Sequence, residues 1–242
     1  MPLMVQGRAR PLARIAQASL TVVALLLGTL AATSASAATA FVAGKHYQVL
    51  SAPVETRNRA KIEVVEVFSY GCPHCFHFEP AVAAWRARQA ADVDFLHVPA
   101  VFNAQFRTLG QAYYSAQVLK VLDRSHTPMF KALHEQNRPL WLNSELARFY
   151  AGFGVKEADF TRAFNSFGVR AGIQRSEMLT RAYQINGVPA MVVNGKYVVD
   201  GRMAGSNEGM LQVVDFLVAR ERAARRAAPA AGNTRPAAPA SR

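Results

Sequence analysis

Cysteine is nearly absent: two residues in 242, Cys72 and Cys75, separated by only two positions. Cross-links stabilise a fold more as the loop they close lengthens. A pair closing so short a loop therefore argues against the disulfide-stapled class of exported domains. Acidic residues are also scarce, 16 against 28 Lys and Arg, for a formal net charge of +12. That excess sits mostly at the ends: Arg8, Arg10 and Arg14 contribute +3, and six arginines less Glu221 over residues 220–242 contribute +5, leaving +4 for the body. The body has no basic cluster with interleaved aromatics, so a nucleic-acid partner is not expected. Beyond the first thirty residues no apolar run approaches the roughly 20 residues of a membrane span. No internal repeat is visible.

The remaining composition is that of an ordered globular chain. Half of it is hydrophobic (51%), with fourteen Phe, enough to bury one substantial core. Three early arginines, an apolar run from Ile15 to Leu30 and Ala35-Ser36-Ala37 form a secretory signal over residues 1–37. Cleavage is expected after Ala37, with Ala40 as the alternative. The mature protein is expected outside the cytoplasm, in an oxidising compartment.

Along the body, Tyr47–Leu50 and the β-branched run in Lys61–Phe68 predict strands. Cys72 opens a helix to about Arg88, with Pro73 in the first turn, where its missing N–H costs nothing. Phe76, Ala83 and Trp85 are its expected buried residues. Asp92–Val98 predicts a strand parallel to the preceding one, completing a βαβ unit. Residues 38–102 thus form the first part of an α/β domain. Residues 103–178 change to helical spacing, with Phe106, Leu109, Tyr113, Ala116 and Leu119 recurring on one face. Residues 179–222 return to the sheet: Ala190–Val193 and Lys196–Val199 flank Asn194-Gly195, a strong hairpin signal, and a helix follows from Ser206 to Arg222. Residues 223–242, rich in Arg, Ala and Pro, predict a flexible tail.

Two thiols one helical turn apart, directly after a strand, have a physical logic. The first lies at a helix N-terminus, where free N–H groups and the dipole favour an anion; the second is shielded one turn in. Lowering a thiol pKa by about three units takes about 4 kcal/mol, whereas a dipole supplies roughly 0.3–1 and at most about 2. Further donors are needed, and His74 and the backbone N–H of Cys75 are the candidates. A stabilised thiolate favours the reduced pair and makes the disulfide oxidising.

Competing chemistries fit less well. A zinc site on Cys72, Cys75, His77 and His74 lacks a second hook of ligands, so no metal is expected. Haem attachment requires His after the second cysteine, where Phe76 stands. A reductase of similar fold, or a metal or peptide carrier without redox turnover, are the alternatives by function.

The segment Val67-Phe68-Ser69-Tyr70-Gly71-Cys72-Pro73-His74-Cys75-Phe76-His77-Phe78-Glu79, with Gly187-Val188-Pro189-Ala190-Met191 and Val193-Asn194-Gly195-Lys196-Tyr197, resembles the thiol:disulfide interchange protein DsbA family of bacterial periplasms. The resemblance extends to about Arg222. It implies a thioredoxin fold with an inserted all-helical domain, and a periplasmic monomer that donates a Cys72-Cys75 disulfide to newly exported proteins through a mixed disulfide. It implies no cofactor beyond that disulfide, and reoxidation by a quinone-coupled membrane partner of the DsbB type. Pro73 and His74 match the family's dipeptide. Val188 and Pro189 match its cis-proline loop, whose Val188 backbone would pair with an extended substrate. Glu66 and Glu79 match acidic residues beneath the disulfide that tune it. The family often adds a lysine there, but the corresponding strand reads Val93-Asp94-Phe95-Leu96-His97. His97 is read as structural, and His46, His126 and His134 carry no signal.

Overall fold

Every residue of Ile62–Phe68 is buried, which places this strand at the centre of a sheet. The computed structural model describes residues 41–227; the signal read over 1–37 and the tail beyond Ala227 lie outside them. The strands are β1 (Gln48–Val49), β2 (Ile62–Phe68), β3 (Val93–Pro99), β4 (Ala190–Val193) and β5 (Tyr197–Asp200), ordered β1-β5-β4-β2-β3. β2 and β3 are parallel, as a βαβ unit requires, and the other pairings are antiparallel. β1 is shorter than the expected Tyr47–Leu50, although Leu50 still donates its N–H to the Lys196 carbonyl.

Alternation along β2 assigns its two faces. Ile62 and Val64 pack with Phe78, Val82 and Trp85 of α1 (Pro73–Ala87) and with Met210, Val214 and Leu217 of α8 (Asn207–Ala227). Val65 and Val67 face the other way, against Leu179 and Tyr183. The buried positions of α1 are Cys75, Phe78, Glu79, Val82 and Trp85. Of the expected core residues, Ala83 is exposed and Phe76 half-buried, because the inward stripe of the helix is set by Cys75 and Glu79.

Between β3 and β4 lie α2 (Ala104–Val118), α3 (Leu122–His134), α4 (Asn143–Ala151), α5 (Glu157–Phe164) and α6 (Phe167–Ala182). The expected break at residue 178 falls inside α6. Leu179 of α6 and Tyr183 just after it complete the core on one face of the sheet, so that helix belongs to both layers. The β4–β5 turn uses Asn194 and Gly195 at φ 52° and 63°. A side chain at Gly195 would run into the Val54 carbonyl oxygen, 2.0 Å from where its Cβ would stand. The one-turn α7 (Gly201–Ala204), capped by Asp200, was not expected.

The predicted tail boundary at 223 is corrected, since α8 continues to Ala227. Arg222 forms a two-pronged contact with Asp92 at 2.6 and 2.7 Å, and Arg225 donates to the carbonyls of Ala60 and Lys61. Ala and Arg are good helix formers, and those contacts anchor the last turns.

Candidate active site

Cys72 is the N-cap of α1, with extended backbone (φ −97°, ψ 116°), and Pro73 begins the helix. The first turn contains no acidic side chain to compete for the free N–H groups. Cys72 is 7% exposed and Cys75 0%, so both are buried but only Cys75 is fully enclosed. Both belong to the core shared with the helical block, among Phe68, Tyr70, Leu109 and Phe130. The preceding turn is tightly held: a side chain at Gly71 would stand 3.1 Å from Leu109 Cδ1.

The two thiols have opposite electrostatics. The Cys75 thiol, hydrogen-bonded to Cys72, is the strongest influence on Cys72; the N–H groups of Cys75 and His74 and the charge of His74 add to it, outweigh burial, and bring Cys72 down to about 6. Burial, the Cys72 sulfur and the Glu66 charge push Cys75 far up. His74, one of the two donors that the sequence put forward, is exposed, and its charge contributes the smallest of these effects.

The Val188–Pro189 peptide is cis, and the Val188 carbonyl oxygen lies 3.5 Å from Cys72 Sγ. The structure therefore brings Pro73, His74, Val188 and Pro189 together around the cysteines.

Beneath the pair lies a buried polar cluster. Glu79 sits one turn after Cys75, so both lie on the same side of the helix. Glu66 shares the α1-facing side of β2 with Val64 and Phe68, and the parallel register sets it opposite His97 of β3. His126 of α3 completes the group. Its Nδ1 is hydrogen-bonded to the Tyr70 hydroxyl at 2.6 Å, and its Nε2 lies 3.3 Å from Glu79 Oε2. His97 Nε2 lies 3.1 Å from Glu66 Oε2. These close pairs are out of line for hydrogen bonds, and Glu66 Oε2, His97 Nε2 and His126 Nε2 have no hydrogen-bond partner among the described residues.

Burial, with repulsion from Glu79, raises Glu66 to about 8. Burial also pushes Glu79 upward, but its contacts with His126, the nearby His97 and the Thr127 hydroxyl bring it below the usual carboxylate range. His97 is held down to about 3 by burial and by its neighbour His126. Glu79, placed beneath the disulfide only by the resemblance, is enclosed here, and His97 belongs to the cluster rather than standing apart as a packing residue.

Sequence reasoning missed Tyr70, His126 and His134. His134 Nε2 lies 2.7 Å from the Tyr70 carbonyl oxygen, and its ring stacks on Phe76. Only the i, i+4 spacing of His126, Phe130 and His134 hinted that one face of α3 carries both histidines. Glu79, His97 and His126 are also the group of described residues able to hold a metal ion.

Comparison with known proteins agrees with this architecture. Residues 86–207 match the DSBA-like thioredoxin domain, a segment that begins after the cysteine pair and so does not depend on it. The thiol:disulfide interchange protein DsbA of Pseudomonas aeruginosa is 41% identical over 184 residues, covering 76% of this chain and 87% of that protein. Its namesake from Azotobacter vinelandii is 42% identical over 181 residues, 75% of this chain and 85% of the relative. The crystal structure of Pseudomonas aeruginosa DsbA superposes with a TM-score of 0.74 at 41% identity, over 77% of this chain and 97% of that one. A sheet that takes a block of helices between β3 and β4 and sets two cysteines at a helix start is the thioredoxin fold with a helical insertion, and the chain belongs to the DsbA family of thiol:disulfide oxidoreductases.

Proposed function

We propose that this protein is a periplasmic dithiol oxidase that donates a Cys72-Cys75 disulfide to newly exported proteins. The observation that carries the reading is the asymmetry of the pair: Cys72 keeps a small exposed fraction and its thiol is lowered to about 6, while Cys75 is fully enclosed with its thiol raised.

A substrate thiolate attacks Cys72 Sγ, the Cys72–Cys75 bond breaks, and Cys75 leaves with the electron pair and takes up a proton, consistent with its raised pKa. The substrate's second thiolate then attacks its own bridged sulfur and expels Cys72 as a stabilised thiolate, and a low-pKa sulfur leaves quickly. Two electrons pass from the substrate dithiol to the enzyme pair, and the substrate gains a disulfide. Stabilising the Cys72 thiolate favours the reduced enzyme, which sets the direction toward substrate oxidation.

Pro73 starts the helix without needing an N–H, and His74 adds a small charge contribution. Val188 and Pro189, beside Cys72, offer backbone to an extended substrate segment, a mode that supplies affinity without demanding sequence. Glu66 and Glu79 tune the pair from below. The disulfide itself is the redox group, and a DsbB-type membrane partner restores it.

Cys72→Ser is expected to abolish oxidation of a reduced, unfolded protein; retained activity would overturn the proposal. Equilibration with glutathione tests direction: a strongly oxidising potential is expected, and one near thioredoxin's would favour the reductase alternative.

A further inference from the structure

Thiol–disulfide exchange uses sulfur atoms alone, yet beneath the pair two imidazoles and a carboxylate converge. Glu79 of α1, His97 of β3 and His126 of α3 each offer one ligand atom, all within 4.8 Å of one another. These side chains are nine-tenths or more buried. The Nε2 atoms of both histidines lack hydrogen-bond partners among the described residues. We propose that Glu79, His97 and His126 form a binding site for a single divalent transition-metal cation of the zinc class.

The spacing fits such an ion. Tetrahedral bonds of about 2.0–2.1 Å separate neighbouring ligand atoms by about 3.3–3.4 Å, and His126 Nε2 and Glu79 Oε2 are 3.3 Å apart. No remaining separation exceeds 4.8 Å, so closure asks for side-chain movement on the order of an ångström.

The supporting contacts are those a ligand set needs. Tyr70 holds Nδ1 of His126, which leaves Nε2 for the ion, and Thr127 donates to Oε1 of Glu79, which leaves Oε2. A cavity of about 360 Å³ lined by Glu79, His97, His126, Thr127, Arg86 and Asp123 provides an access path and room for a fourth ligand. Glu66 Oε2 stands 3.1 Å from His97 Nε2, beside the site. Two imidazoles with a carboxylate suit zinc, cobalt, nickel or copper better than magnesium or calcium, which prefer all-oxygen sets.

The sequence excluded metal by looking for hooks around the cysteines. This ligand set is drawn from three elements and has no local spacing to find.

The test uses the full chain in its disulfide form, so that neither cysteine can ligate, stripped with chelator and titrated with Co²⁺ followed by Zn²⁺ competition. One equivalent should bind, with visible d–d bands and no thiolate-to-cobalt charge transfer. Glu79→Gln, His97→Asn and His126→Asn should each weaken binding at least tenfold, while His46→Ala/His77→Ala, which removes histidines outside the cluster, should leave it unchanged. Zn²⁺ should also raise the unfolding temperature of the oxidised wild-type chain, since a ligand that binds only the folded state stabilises it. Absence of saturable binding by the wild-type chain would overturn the proposal, whatever the variants do. So would binding that survives all three cluster substitutions or disappears with His46 and His77.

Discussion

Glu66 and Glu221 are both buried against the same sheet, 2% and 3% exposed, yet their surroundings treat them oppositely. Glu221 on α8 accepts hydrogen bonds from Asn194 Nδ2 at 2.5 Å, Lys196 Nζ at 2.8 Å and the Tyr197 hydroxyl at 3.0 Å. Burial raises its pKa, but those donors overcome that and hold it below the usual range. Glu66, beneath the cysteines, has an oxygen without a hydrogen-bond partner among the described residues and is pushed up to about 8. A satisfied buried carboxylate is a structural tie; an unsatisfied one near reacting atoms marks chemistry. The sheet is thus fastened at the β4–β5 hairpin and left under electrostatic tension below the disulfide.

The largest stability change should come from cutting the satisfied tie. Glu221→Ala leaves three donors without their acceptor and is expected to cost about 2–3 kcal/mol, read as a lower denaturation midpoint, with the glutathione equilibrium unmoved. A changed potential would show that the two ends are not separable.

Acidification should distinguish the ends next. Cys72 is depressed from 9.0 to about 6 in the folded reduced protein. Its stabilisation of the reduced form is therefore complete above about pH 9, shrinks below that, and is lost as the pH falls through 6. Carboxylates such as Glu221 are depressed from 4.5, so their contribution in both redox forms is lost only below that pH. Unfolding midpoints of reduced and oxidised protein should therefore converge between pH 9 and 6, and a constant gap would contradict the assignment.

Glu66→Gln should change stability by less than about 1 kcal/mol, because no hydrogen bond to Oε2 is lost. A loss as large as that of Glu221→Ala would erase the contrast. Smallest is His74→Ala, which should raise the pH midpoint of Cys72 alkylation only slightly, as expected for an exposed and screened charge. A large rise would give His74 the leading role among the donors.

Much of this was readable before any coordinates. The β-branched run of β2, Pro73 at the helix start and Asn194-Gly195 each act through local sterics, and each element stands where they put it. Glu66 and Glu79 came from the resemblance alone. His126 and Tyr70 were illegible because their meeting depends on how α3 docks against α1 and β2. The end of α8 was misread for a similar reason: an Arg/Ala-rich stretch looks like a solvated tail until Asp92 and the 60–61 carbonyls are seen to hold it.

The register of β2 and β3 extends this point. Glu66 faces His97 because the segment 88–92 between α1 and β3 has the length it has. Side chains alternate along a strand, so shortening that segment by a single residue, with all four cluster residues kept, would either strain the turn or offer Val98 to the carboxylate and turn the imidazole away. The chemistry under the disulfide is thus encoded partly as a distance counted along the chain, and a lineage can lose it without replacing any of the residues that perform it.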